Sequence, residues 1–197
     1  EAVNKDNGGS NKSAIHYWNR LDKNNKPYFP LAEYSFIIFQ MTQWQRNDFE
    51  FKFEQYDYYH PFHRYTYAPL NEVFGRYLDY HNITLDKWID DYIQQNVNEV
   101  KSFLYNAELQ GLKTLLFTWP RDYIPYIEKD SWLRERFVTF DYKDKNYTSI
   151  ETLMHNFELE IKRDYANFDE PPKDHHPSML CHQIMAENLI KRIEAIK

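Results

Sequence analysis

The chain has 197 residues, enough for one domain with a real core, and 18% of them are aromatic: 17 Tyr, 14 Phe and 5 Trp. Rings in that number need burial, which speaks against a disordered polymer. A net charge of −6, from 24 basic and 30 acidic side chains intermixed without a basic stripe, speaks against nucleic acid as a partner. The lone Cys181 rules out an intrachain disulfide, and its place inside the last helix reads as a buried thiol. No apolar run is long enough to span a bilayer and no signal peptide is visible, so a reducing cytoplasm is the expected setting.

In chain order, residues 4–13 read as a loop, with Gly8-Gly9 allowing positive φ or a close backbone approach. Ala14, Ile15, Trp18 and Leu21 have helical spacing, and Ser10 or Asn11 is placed to cap that short helix. Residues 24–30 are a turn. Tyr34 to Gln40 is a short apolar run rich in Ile and Phe, the pattern of a buried parallel strand. Residues 41–69, crowded with rings and His, read as a long irregular loop. Its 49–67 stretch is a candidate for stacking on a planar ligand, for a homo-oligomer contact, or for a satisfied aromatic cluster.

The helical spacing from Leu85 to about Gln110 is the clearest in the chain, and Gly111 stands where a C′ glycine belongs. Leu112 to Thr118 reads as a second strand and Phe137 to Phe140 as a third. Thr148 and Glu151 have capping-box spacing ahead of Ile150, Leu153 and Met154. Near the end, Pro177 and the N-cap candidate Ser178 open a last helix anchored by Leu180, Ile184, Leu189 and Ile193. Strand, helix, strand, strand, helix is the order of an α/β fold with a parallel sheet flanked by helices. Chemistry in such folds collects at the carboxyl ends of strands. That puts residues 40–46, 118–121 and 174–176 on one rim.

Asp174 and His176 lie two apart just before the last helix, as a base oriented by a carboxylate requires; an ordinary polar surface loop is the alternative. His60-Pro61-Phe62-His63 has two imidazoles, but the intervening proline breaks the helical geometry that would aim both at one ion, so no metal and no cofactor is expected. Arg121, after the second strand, either pairs an anionic substrate or sits in a plain turn, and the plain turn is favoured. Sequons at Asn11, Asn82 and Asn146 carry no functional reading on their own.

The block Asp174-x-His176-Pro177-Ser178, followed by His182 and Ala186, resembles the terminal block of the SGNH/GDSL hydrolases. Asn7-Gly8-Gly9-Ser10-Asn11 resembles that family's second block. Phe36 to Arg46 resembles a Gln-x-Thr/Ser…Arg variant of its third, of the environmental and viral type. The resemblance implies a three-layer, flavodoxin-like fold over a single domain, residues 1–197, lacking its first strand. It implies hydrolysis of an ester of a small molecule, carbohydrate or lipid, with His176 as base and Asp174 orienting it. The Gly9 N–H and Thr42 would hold the oxyanion. The family's opening Gly-Asp-Ser strand is missing from residues 1–7, the third-block Gly-x-Asn-Asp is absent, and Lys173 stands where the acid is usually found. Ser10 is the in-chain nucleophile candidate, with a helix cap as its competing role. The nucleophile is therefore expected upstream of Glu1, in keeping with a chain that does not open on Met. A non-catalytic module of the same fold and an unrelated α/β interaction protein are the rival readings.

Overall fold

The computed structural model describes residues 10–27, 33–44, 48–53, 56–61, 70–155 and 177–196. Its elements are α1 (Asn11–Trp18), β1 (Phe36–Met41), β2 (Asp48–Phe53), β3 (Tyr56–Pro61), α2 (Leu70–Tyr80) and α3 (Leu85–Leu109). They continue with β4 (Lys113–Thr118), α4 (Ile124–Lys129), α5 (Ser131–Arg136), β5 (Phe140–Tyr142), β6 (Lys145–Tyr147), α6 (Ile150–Met154) and α7 (Met179–Ala195). Five helices start on a side-chain oxygen that accepts from a first-turn N–H: Ser10, Thr84, Asp130, Ser149 and Ser178. At the far end of α3, Gly111 takes φ +89°, where a side chain would be strained.

The fold is mixed helix and strand with small parallel and antiparallel sheets. β1 and β4 pair in parallel. The Lys113 N–H donates to Ser35 O (3.1 Å) at one end and the Trp119 N–H to Met41 O (2.8 Å) at the other. Phe137 bridges Leu116 in parallel, with the Val138 N–H on Leu116 O (2.8 Å), so the expected third strand is reduced to one bridge. Phe140 belongs instead to the β5–β6 hairpin, whose two-residue turn Lys143-Asp144 takes positive φ at both positions. β4 is buried from Thr114 to Thr118, as a two-sided strand should be. β1 is not: Ile37, Phe39 and Met41 are buried while Ile38 is 41% exposed and Gln40 is exposed, so its apolar run is covered on one face only. Residues 48–61 are not irregular. They form an antiparallel hairpin, β2 against β3, with Phe53 opposite Tyr56 and Asp48 opposite Pro61.

Backbone contacts divide the chain into two compact units, Glu1–Ile37 with Thr42–Thr114, and Ile38–Met41 with Leu115–Lys197. In the first unit, α1 lies along α3, whose Tyr92, Ile93, Val97, Val100, Phe103 and Leu104 are buried. Rings continue this core: Trp44 meets Tyr92 edge-on (6.4 Å), Trp88 stacks on Tyr92 (5.0 Å), and Phe74 meets Trp88 edge-on (5.1 Å). In the second unit, Leu115, Phe117, Val138, Phe140, Ile150 and Leu153 pack with Cys181, Ile184 and Met185 of α7. Of the four anchors expected on α7, Ile184 is buried and Leu189 and Ile193 pack against the core, while Leu180 is 42% exposed and Cys181 is buried instead. The capping box of α6 is likewise one residue later than its spacing indicated, formed by Ser149 and Thr152.

Polar groups finish the second unit. Asn188, buried on α7, behaves as an extra strand for β5. Its Oδ1 accepts from the Asp141 N–H (3.1 Å), and its Nδ2 donates to Asp141 O (3.3 Å) and Ile184 O (2.8 Å). Two arginines close carbonyls at the ends of α4 and α5, Arg134 on Glu128 O and Arg192 on Glu135 O, while Arg136 reaches back one turn to Trp132 O within α5. Asn188→Ala leaves the part-buried Asp141 N–H and C=O without their side-chain partner and is expected to cost about 0.5–1.5 kcal/mol, read as a lower urea midpoint at unchanged m-value. Ile190→Ala, at an exposed site on the same helix, should shift it by less than about 0.5 kcal/mol. Gly111→Ala should cost about 1 kcal/mol in the same assay because its φ is positive.

Candidate functional site

The carboxyl end of β1 is tied to the start of α1. Asn11, 2% exposed, places its Oδ1 2.8 Å from the Thr42 N, accepting its N–H across 31 positions of sequence. A buried carboxamide bonded to a strand-end N–H holds two segments in one register. The structure thus brings Asn11, two residues after Gly9, to Thr42. The Thr42 N–H is committed to Asn11, which leaves the Thr42 hydroxyl as the donor that residue can offer; among the described residues it makes no hydrogen bond.

Ser10 is a helix cap. Its Oγ accepts from the Ser13 N–H (3.0 Å) and lies 2.8 Å from Ser13 Oγ, and the residue is 4% exposed. Its hydroxyl has no imidazole or carboxylate beside it among these bonds, so nothing is placed to take its proton. Gly9, Asp174 and His176 lie outside the described residues, as does His63.

At the carboxyl end of β4 the chain turns sharply. Thr118, fully buried, donates from Oγ1 to Pro120 O (2.8 Å). A single 3₁₀ turn, Arg121–Tyr123, follows, and the Glu151 carboxylate accepts the Arg121 N–H at 3.1 Å. The Glu151 N–H donates to Trp119 O (2.9 Å), which fixes the start of α6 against the strand end. Glu151 therefore has a structural task. The Arg121 side chain is exposed at the start of this turn, and among the described residues it makes no ion pair.

The helix behind the Asp174–His176 segment starts firmly. Ser178 Oγ accepts the Cys181 N–H (3.2 Å) and Ser178 O accepts the His182 N–H (3.0 Å). His182 and Ala186 are exposed, while Cys181 is fully buried. Burial pushes the Cys181 thiol up to about 11, so it stays protonated and inert. His60 lies on β3 opposite Phe49, and His81 sits among rings, 4.6 Å from Tyr77 and 5.1 Å from Tyr80. Among the described residues no three His, Cys, Asp or Glu side chains converge as metal ligands would.

One feature has no counterpart in the sequence reading. A groove of about 770 Å³ runs between α1 and α3, floored by Ile15 and Phe103 and walled by carboxamides. Its signal was present in the recurrence of Gln95, Asn98, Ser102 and Asn106 at helical spacing, a polar stripe that reads at first as an ordinary solvent face.

Compared with protein-family models, curated proteins and solved structures, the chain finds no match to any of the three.

Ser10→Ala should lower stability by about 1 kcal/mol through loss of the cap, measured by thermal unfolding. The raised thiol pKa of Cys181 gives a signed pH effect. Between its ordinary value of 9.0 and about 11 the folded chain binds the proton that the unfolded chain releases, so stability is whole below that window and falls as pH rises through it. Urea midpoints across those pH values should show the decline, and Cys181→Ala should flatten its thiol component.

Proposed function

We propose that the chain is the acid–base part of an SGNH/GDSL-type serine ester hydrolase, of flavodoxin-like, three-layer architecture. His176 takes the proton of an attacking serine hydroxyl and returns it to the leaving alcohol. Asp174 holds the imidazole in the tautomer that can do so. The Gly9 N–H and the Thr42 hydroxyl stabilise the oxyanion of the tetrahedral intermediate. The attacking serine is assigned to a Gly-Asp-Ser strand outside these 197 residues, since Ser10 is spent on capping α1. The substrate is an ester, with an acyl or acetyl group carried by a carbohydrate or lipid.

The observation that supports this reading best is the clamp from Asn11 to Thr42. It joins the start of α1, two positions after Gly9 in sequence, to the carboxyl end of a parallel strand, where open α/β sheets keep their chemistry. Two further features agree with it. β1, β4 and the Phe137 bridge are neighbours in chain order, as the later strands of a flavodoxin-like sheet are. Ser178 starts α7 two residues after His176, giving the base a rigid support.

A second reading is favoured by the state of Ser10: a module of this fold that binds without catalysing. Nitrophenyl acetate hydrolysis separates the two. The 197-residue protein should be no faster than buffer, whereas the gene's complete product should turn over. His176→Ala should reduce kcat there by about 10³-fold or more with little change in KM. Turnover by the 197-residue protein that Ser10→Ala abolishes would move the nucleophile to Ser10. Activity indifferent to His176, or a complete product that is inert, would leave the binding module standing.

A further inference from the structure

The groove between α1 and α3 differs in chemistry from the rest of the α3 surface. The first turns of that helix present Asp86, Lys87, Asp90 and Asp91 to solvent, with Lys87 bonded to Asp91. The groove wall presents carboxamides instead: Gln95, Asn98, Asn106 and Gln110 on α3 and Asn19 on α1, with the Ser102 hydroxyl among them. Fifteen residues of α3 separate the first of these from the last, a run of about 22 Å at helical rise. Lys12 and Glu99 in the wall stand as a pair, with Lys12 Nζ 3.9 Å from Glu99 Oε1 and 5.7 Å from the centre of the Tyr92 ring, and the exposed His16 is the remaining titratable side chain of the lining.

Part of the amide capacity is used locally. Gln95 donates to Glu99 (3.0 Å), Gln94 donates to Asn98 Oδ1 (3.2 Å) and Gln110 donates to Asn106 O (3.2 Å). What remains faces the groove: the Asn98 amide donors, both ends of the Asn19 and Asn106 amides, and the Ser102 hydroxyl, none of which is hydrogen-bonded among the described residues. Each free amide offers a donor and an acceptor side by side, the pairing that a ring hydroxyl and its neighbour complete. Half-buried Ile15 adds an apolar contact for the C–H face of a ring, with Phe103 and Ala107 buried behind it.

We propose that this groove binds a neutral oligosaccharide. Among the described residues a charged glycan would meet the Lys12–Glu99 pair, whose two charges oppose each other, and one imidazole, His16. A helical peptide would need several apolar pockets to receive anchors at helical spacing, and Ile15 is the one accessible apolar side chain in this lining. A neutral glycan needs donors and acceptors at intervals of about one helical turn, about 5.4 Å, which is comparable to one sugar ring. The inference stands apart from ester hydrolysis, because binding is read without turnover.

The test is a glycan array carrying neutral and acidic oligosaccharides, run beside a polar-peptide array, with the 197-residue protein as probe. Capture should fall on neutral glycans. Asn98→Ala and Asn106→Ala, both at exposed positions that leave the core intact, should each weaken it by about tenfold, the loss of a hydrogen bond or two to a neutral ligand. Gln183→Ala, an exposed amide on α7 outside the groove, should leave it unchanged, with circular dichroism reporting that all variants fold. Failure to capture any neutral glycan, capture of peptides or acidic glycans alone, or capture indifferent to Asn98 and Asn106 would overturn the proposal.

Discussion

β4 sets the terms for the architecture. Five successive residues, Thr114 to Thr118, are buried, so their peptide groups have no water to turn to and must be matched within the chain. β1 does this along one edge and the Phe137–Val138 stretch begins it along the other. An unmatched buried amide costs about 1–3 kcal/mol, a large part of a domain's net stability, so the strand order around β4 is not free to vary. The helices then cover what the strands leave apolar. In the second unit, the Phe140, Ile150, Leu153 and Ile184 side chains all belong to segments that follow β4 in sequence.

Much of that was legible in the residues. α3 could be read almost to its ends because amphipathic spacing, a Thr cap and a C′ glycine all agree over 25 positions. β4 could be read because a two-sided buried strand leaves an uninterrupted apolar run. The β2–β3 hairpin could not. Its sequence, Asp48 to Pro61, is aromatic on nearly every second position but laced with charge, and ring content alone does not separate a strand from a loop. On α7 the anchors Ile184, Leu189 and Ile193 lie on the core as their spacing indicates, and Leu180 alone gives way to the less apolar Cys181. Hydrophobicity ranks the two in that order, but the helix rotation is set by the partners at Ile184, Met185 and Asn188.

The site was legible only as a set of places. Asn11 was noticed as a cap candidate and a sequon residue, and no local rule says that its carboxamide reaches a strand end 31 residues on. Such a bond exists only after the chain has folded, so spacing cannot reveal it. Ser10 was weighed between two roles, and the hydrogen bond from Ser13 decides for the cap. The arginines show the same effect on charge. Arg134, Arg136 and Arg192 are cations in the sequence, yet in the fold each has a guanidinium nitrogen on a main-chain carbonyl of α4 or α5.

The two compact units are not consecutive pieces of chain. The boundary is crossed between Ile37 and Ile38, again between Met41 and Thr42, and a third time between Thr114 and Leu115. No single cut of the backbone, whether by a protease or by a genetic truncation, releases either unit whole. The stretch from Thr42 to Thr114 is a long excursion of the chain that starts just after β1 and ends at the second residue of β4, its parallel partner. Shortening that excursion, rather than trimming the termini, is the edit that would show how small a chain can still assemble the β1–β4 pair.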